Sequence, residues 1–347
     1  MQKILSKKLL NALFLLAVFT LTLWAVFRGE DLPQVLLSLK AANPSYVFAG
    51  VMCVLFYILG DALSICYLMR KQSFHISFFR CCLYAFIGFF YCCITPSASG
   101  GQPMQILAMR KDGIPAACST VVLAIITIVY KLVLVLIGTA VLVFRPSQLM
   151  IYLESVEALI YLGLVLNIGC VAVLLLFVFH PSLVRYLVEK CFTLLNRIHP
   201  LKRMEKRRNQ LDRILTQYHG SAAFFRNNKH VILHIFLLTF FQRFLLFLVT
   251  WFTYRAFSLS GTSLPIVVSL QAMISVVADM LPLPGGMGIS ETLFLEIFPT
   301  IFGQTYLLPG MMVSRGISYY TQLLISAVMT LAAQIIIKKK PTVIKGS

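Results

Sequence analysis

Long, predominantly apolar runs constrain this chain more than any other feature of its sequence. A run of about 18 residues or more is long enough to cross the roughly 30 Å hydrocarbon core of a bilayer as one helix. The sequence has six such runs, at 9–27, 44–69, 115–144, 155–180, 230–257 and 310–337. Only 12% of the residues are charged, about half the share in a soluble domain. The sequence therefore predicts an all-α polytopic membrane protein with about six full spans.

Positive charge is distributed unevenly along the chain and predicts its orientation. Residues 181–229 carry eleven Lys or Arg against three Asp or Glu, and such a bias is typical of cytoplasmic loops. The same bias predicts cytoplasmic N- and C-termini in the cell membrane, with 145–153 and 301–309 outside. The first run follows basic residues and lacks a small-residue cleavage site, so we expect it to be an uncleaved span. Topology and anionic headgroups account for the net charge of +18, so no nucleic-acid partner is expected.

Two further apolar segments are interrupted by proline and glycine. Residues 78–112 are broken at TPSASGGQP (95–103), and their basic flanks predict a re-entrant helical hairpin that enters from the cytoplasmic side. Residues 262–303 are broken at LPLPGGMG (281–288), and flanks without Lys or Arg predict a hairpin from the outer side. Non-helical backbone is tolerated at membrane depth where protein or a watery cavity covers it. The alternative is eight ordinary spans, two of them kinked at proline.

The order of these elements repeats with opposite orientation. Residues 1–144 read span, span, cytoplasmic hairpin, span, and residues 145–347 read span, span, outer hairpin, span. We therefore predict two inverted repeats with these boundaries. Interrupted segments at corresponding positions of two repeats indicate the central substrate site of a transporter.

The predicted membrane segments contain ionisable residues, and six of them are candidates for a site. A charge near the bilayer centre costs roughly 2.5–3.5 kcal/mol on insertion scales, so such residues normally face a cavity or pair with each other. The principal candidates for substrate binding are Lys131, Arg243, Asp279 and Glu291, and the secondary ones are Asp61 and Arg315. With three acids and three bases, a purely structural ion-pair network is the alternative.

The two glycine-rich breaks are candidates for binding an anionic headgroup. Free backbone N–H groups and helix N-termini attract anions such as phosphate. The candidate residues in these breaks are Ser97, Ser99, Gly100, Gly101, Gln102, Gly285, Gly286 and Gly288. We expect the tips of the two hairpins to meet and form one polar site with the buried charges. The alternative is that the glycines only allow close helix packing.

No motif for catalysis, a cofactor or a metal is present. The sequence contains no GxSxG, HExxH or P-loop pattern, and its nine cysteines show no metal-ligand spacing. Most cysteines lie in apolar runs, so we expect free packing thiols and no disulfide.

The two breaks also carry a family resemblance over essentially the whole chain. TPSASGGQP at 95–103 and LPLPGGMGISE at 281–291, on either side of a basic loop, resemble the membrane domain of the lysylphosphatidylglycerol synthase/flippase family, of the multiple peptide resistance factor type. The second motif matches at Pro282, Pro284, Gly285, Gly286, Gly288 and Glu291. The first departs from the commoner pattern, because Gln102 stands where an acid usually follows the paired glycines.

The resemblance implies a flippase that moves a phospholipid or glycolipid between leaflets, with lysylphosphatidylglycerol as one candidate. Its partners would be anionic or glycosylated lipids, and resistance to cationic peptides is an expected consequence. Family members with a soluble aminoacyltransferase domain also make the lipid, and we expect a stand-alone form without that domain. The alternatives are a phosphatidylglycerol lysyltransferase or an accessory to one, and a membrane assembly factor with the basic loop as docking site. Whether copies form a homo-oligomer is left open.

Overall fold

The computed structural model describes residues 40–95, 98–180, 204–281, 286 and 288–337, with isolated residues at 33, 37, 182, 183, 185, 186 and 190. The predicted span at 9–27 and both chain ends lie outside the described residues. Twelve α-helices and no strand occur in the described ranges. The helices are α1 (Pro44–Lys71), α2 (Phe78–Ile94), α3 (Gly101–Lys111), α4 (Ala116–Phe144), α5 (Ser147–Leu153), α6 (Glu157–Phe179), α7 (Met204–Asn227), α8 (Lys229–Ala256), α9 (Leu264–Ala278), α10 (Ile289–Ile297), α11 (Pro299–Arg315) and α12 (Gln322–Ile336).

Five helical segments of the described chain are long and apolar enough to cross a bilayer. They are α1, α4, the run from α5 to α6, α8, and the run from α11 to α12. A π-helical segment, Gly316–Thr321, joins α11 to α12. These segments confirm the prediction of an all-α polytopic membrane protein.

Helices α1 and α8 pack against each other in opposite directions along their whole lengths. At one end the Asn43 amide donates to the Ala256 carbonyl at 2.9 Å. At the other end the Tyr67 hydroxyl lies 2.9 Å from His234 Nδ1. Between them Gln242, on α8, donates from Nε2 to the Tyr57 carbonyl at 2.8 Å. The pair makes the most extensive helix–helix contact in the described chain.

The first interrupted segment folds as an antiparallel pair, α2 and α3. At its base Arg80 donates through Nη1 to both carboxylate oxygens of Asp112, at 2.7 and 3.0 Å, and the Tyr84 hydroxyl donates to the same carboxylate. Near the tip, a Cβ atom placed on Gly101 would lie 2.8 Å from the Gly88 carbonyl oxygen. With 17 residues, α2 is about 26 Å long, shorter than the roughly 30 Å core of a bilayer. The length of α2 is compatible with a hairpin that turns before it crosses, which stays a prediction.

The second interrupted segment consists of α9 and α10, of 15 and 9 residues. Asn167, buried on α6, holds the end of α9 by donating from Nδ2 to the Val276 carbonyl at 2.9 Å. That carbonyl belongs to the last turn of α9, where helix carbonyls lack donors within the helix. Helix α9 ends at Ala278, and α10 begins at Ile289.

Each hairpin packs on both halves of the chain. Helix α2 contacts α1 of its own half and α12 of the other, and α9 contacts α8 of its own half and α4 of the other. An inverted repeat with its boundary between residues 144 and 145 would place each hairpin against helices of both halves in this way. The repeat itself stays a prediction.

Two segments that were expected to be loops contain helix. The basic loop 181–229 includes α7, which packs on α4, α6 and α8, and the outer loop 145–153 includes α5. Leu215, Ala222 and Phe225 form the buried face of α7. In the sequence, the many basic residues around these three hide their helical spacing. Gly303, at the predicted end of the second hairpin, interrupts the helical backbone of α11.

Candidate functional site

A cavity of about 310 Å³ lies between the two hairpin tips. The first break contributes Ala98 and Gln102, and the second contributes Asp279, Leu281 and Gly286. Helices α1, α4, α8 and α12 complete the wall. Sites for small ligands in proteins have volumes of this size and combine apolar walls with a few polar groups.

Arg243 places a guanidinium group in this cavity from the middle of α8. The group lies between two aromatic rings, 4.4 Å from the centre of Tyr130 and 5.4 Å from that of Tyr57. Its Nε atom is buried without a hydrogen-bond acceptor in the described chain. No described carboxylate lies within 4 Å of it. Ring faces stabilise a cation without neutralising it, so the guanidinium keeps its charge and its donors available to an anion.

Asp61 lies one helical turn after Tyr57 on α1 and also lines the cavity. Its carboxylate interacts with the amide of Gln105 from the first hairpin and with the more distant charge of Arg243. The cavity thus holds one carboxylate and one guanidinium that form no ion pair within 4 Å in the described residues.

Lys131 is buried on α4 and forms an ion pair with the second hairpin. Its Nζ lies 2.6 Å from Asp279 Oδ2, and Asp279 caps the C-terminal end of α9. Lys131 does not line the cavity, whereas Asp279 does. The pair therefore joins the first half of the chain to the break of the second hairpin.

Glu291 and Arg315 form the second internal ion pair, with Arg315 Nε 2.7 Å from Glu291 Oε1. Glu291 is in the first turn of α10, where a negative charge is favoured by the helix dipole. Its other oxygen, Oε2, is buried without a donor in the described chain. Arg315 lines the cavity and Glu291 does not.

The glycine-rich breaks contribute less of the cavity wall than the sequence suggested. In the first break, Gln102 faces the cavity and donates from Nε2 to the Thr127 hydroxyl. Ser99, Gly100 and Gly101 do not line it, and the Gly100 amide donates to Thr95 Oγ1 at 2.9 Å. Ser97 lies outside the described residues.

In the second break, Gly286 lines the cavity and Gly288 precedes α10 as its N-cap. Both have positive φ, of 66° and 80°, a backbone conformation that glycine adopts without strain. The Gly288 carbonyl accepts the Thr292 amide and hydroxyl at 2.9 and 2.8 Å. Gly285 lies outside the described residues.

The model of the family described as lysylphosphatidylglycerol synthase TM region matches residues 12–326. The chain belongs to this family. The match covers both hairpins and the cavity between them. No curated protein sequence matches the chain. A lipid flippase or transporter in the membrane fits the family.

In this member of the lysylphosphatidylglycerol synthase TM family, sequence reasoning missed most of the neutral cavity wall. The wall contains amides, hydroxyls and phenols that were not singled out: Tyr57, Gln105, Tyr130, Thr239, Gln242, Thr250, Gln271, Ser275, Ser318, Tyr319 and Gln322. A signal for some of them exists, because Gln271, Ser275 and Asp279 recur every four residues on one face of α9 and its cap.

Proposed function

We propose that this protein moves a phospholipid or glycolipid with an anionic headgroup between the leaflets of the cell membrane. The headgroup passes through the cavity between the hairpins while the acyl chains stay in the lipid. The observation that carries this proposal is the Arg243 guanidinium, which faces the cavity with no carboxylate within 4 Å in the described chain. A phosphate is the group that such a planar set of donors binds best.

The other charged residues support this role without contacting the headgroup in the same way. Lys131 with Asp279, and Arg315 with Glu291, hold the second break at the cavity wall. The break residues Gln102 and Gly286 bring the two hairpin tips to the same space. In the orientation we propose, both termini and the 181–229 segment are cytoplasmic, and one hairpin enters from each side of the membrane.

Reconstituted protein tests the proposal directly. Liposomes that contain fluorescent phosphatidylglycerol are treated with dithionite, which bleaches only the label in the outer leaflet. We expect the purified protein to expose inner-leaflet label much faster than liposomes without protein. A rate equal to that of protein-free liposomes for every anionic lipid tried would contradict the proposal.

The variant Arg243→Gln tests whether the lipid moves through the cavity. It removes a charge-assisted hydrogen bond of about 1.5–3 kcal/mol, so we expect a rate at least roughly tenfold lower. Arg255→Gln is the matched control, because Arg255 is on the same helix and donates to the Leu259 carbonyl away from the cavity. Equal rates for the two variants would show that the lipid does not move through this site.

A further inference from the structure

The cavity wall is rich in primary amides. Gln102, Gln105, Gln242, Gln271 and Gln322 all line it, from four different helices. A glutamine offers both N–H donors and a carbonyl acceptor at the end of one side chain. Amides are uncommon in helices that face hydrocarbon, because an unpaired polar group there costs several kcal/mol.

Several of these amides keep hydrogen-bonding capacity for a ligand. Gln271 accepts from the Thr250 hydroxyl at 2.8 Å through Oε1, and its NH₂ group has no acceptor in the described chain. Gln322 lines the same cavity, and its side chain has no hydrogen bond within the described residues. The hydroxyl of Thr239, a buried residue of the same wall, lacks a partner in the described chain. The wall is therefore built to bind something with both donors and acceptors.

The charges of the same wall limit what that ligand can be. Of its two carboxylates, Asp279 is neutralised by Lys131 at 2.6 Å, which leaves Asp61. Of its two guanidinium groups, Arg315 is paired with Glu291, which leaves Arg243. A lysylated headgroup brings two ammonium groups, and one carboxylate can pair with only one of them. The second would lie uncompensated in a site of low dielectric.

We infer that the headgroup transported by this protein joins a phosphate to a hydroxyl-rich group, a polyol or a sugar, and carries no aminoacyl group. The phosphate binds Arg243, and the hydroxyls bind the glutamine amides and the Asp61 carboxylate, which accepts from neighbouring hydroxyls. This inference rests on the proposed function and selects the substrate class within it.

The test compares lipids that differ only in headgroup. Fluorescent phosphatidylinositol, phosphatidylethanolamine and lysylphosphatidylglycerol with the same acyl chains are assayed in the same proteoliposomes. We expect phosphatidylinositol to move at least roughly tenfold faster than lysylphosphatidylglycerol, a preference of about 1.4 kcal/mol. The rate of phosphatidylethanolamine, whose single ammonium Asp61 can pair, should lie between the two. Equal rates, or a faster lysylated lipid, would overturn the inference and leave the proposed transport intact.

If no lipid moves, a binding measurement tests the headgroup assignment separately from the proposed transport. Detergent micelles of the purified protein are doped with each lipid and their melting temperatures are compared. A selective rise with phosphatidylinositol supports the headgroup assignment even if transport itself fails. A rise that is equal for all three lipids, or no rise, overturns it.

Two kinds of variant connect the preference to the amides. Gln271→Leu and Gln322→Leu should lower the phosphatidylinositol rate more than the rate of the lysylated lipid, so that the ratio between the two falls. Gln102→Glu adds a carboxylate to the wall and should raise the ratio of lysylated lipid to phosphatidylinositol. Gln304→Leu is the control, because Gln304 is exposed on α11 outside the cavity. A preference that no cavity variant alters would overturn the inference.

Discussion

Lys131 and Arg243 are both basic residues near the middle of membrane helices, yet their surroundings are opposite. Lys131 is buried and pairs with Asp279 at 2.6 Å. Arg243 lies between two tyrosine rings and faces open space. At the residue scale, Lys131 joins α4 to the end of α9, whereas Arg243 is available to a ligand.

Removing one partner of the Lys131–Asp279 pair should therefore affect folding first. Lys131→Met leaves the Asp279 carboxylate without its partner, and we expect a loss of about 3–5 kcal/mol in the free energy of unfolding. The double variant Lys131→Met/Asp279→Leu should recover most of that loss, because an apolar pair can replace a buried ion pair at little cost. Thermal melting in detergent compares the three proteins. A double variant as unstable as the single one would contradict a structural role for the pair.

The ionisable residues could be predicted from the sequence, but their partners could not. Charges in apolar runs are conspicuous, and all six lie in or beside the cavity region. The pairing of Lys131 with a residue 148 positions away depends on how α4 packs against α9. The sequence does not single out Tyr57 and Tyr130, because a tyrosine in a membrane helix resembles the apolar residues around it. Their role depends on the position of the Arg243 guanidinium beside both rings.

Among the helical elements, the first hairpin depends on the absence of a side chain at its tip. A Cβ atom at Gly101 would lie 2.8 Å from the Gly88 carbonyl oxygen and would also meet Cys92 Sγ. The carbonyl belongs to the backbone of α2 and cannot rotate away. Close approach of α3 to α2 is thus possible only for glycine at this position.

Gly101→Ala should separate the two helices of the hairpin and lower stability by about 1–3 kcal/mol, the usual cost of overpacking. Gly169→Ala is the control, because nothing lies within 4 Å of a Cβ atom there. Alanine favours a helix over glycine by about 1 kcal/mol, so the control should be as stable as the native protein or more. Melting temperatures in detergent decide between these outcomes, and equal losses for both variants would refute the packing argument.

The elements differ in how far their sequence predicted them. Proline and glycine marked both hairpin breaks, since these residues end helices locally. The sequence predicts a loop where α7 forms, because charged residues dominate the composition there. The contacts of α7 with α4, α6 and α8 depend on how the bundle folds.

At the scale of the whole molecule, the bundle has two ends with different chemistry. One end carries α7 with its basic residues, and the other carries the short helix α5 between α4 and α6. The positive-inside bias predicts that the first faces the cytoplasm. The cavity is lined by residues near the middle of α1, α4 and α8, so it lies between these ends.

Cysteine labelling in intact cells checks this orientation. In a background without the nine native cysteines, Ser147→Cys should react with a membrane-impermeant maleimide and Gly220→Cys should not. Both positions are exposed on the protein surface, so burial does not limit either reaction. Permeabilised cells should label both. The reverse pattern in intact cells would invert the proposed topology.

The cancelling charges of the cavity wall have an electrical consequence. Asp61 and Asp279 balance Arg243 and Arg315, and all four stay in the wall when a lipid moves. A lipid with one phosphate therefore crosses with its own negative charge, and its passage carries current. A voltage negative on the inside would favour outward movement by about 2.3 kcal/mol per elementary charge for each 100 mV. That corresponds to about a fiftyfold bias between leaflets at equilibrium. Proteoliposomes clamped with valinomycin and a potassium gradient should show it for phosphatidylglycerol. A leaflet distribution that ignores the applied voltage would mean that another ion crosses with the lipid.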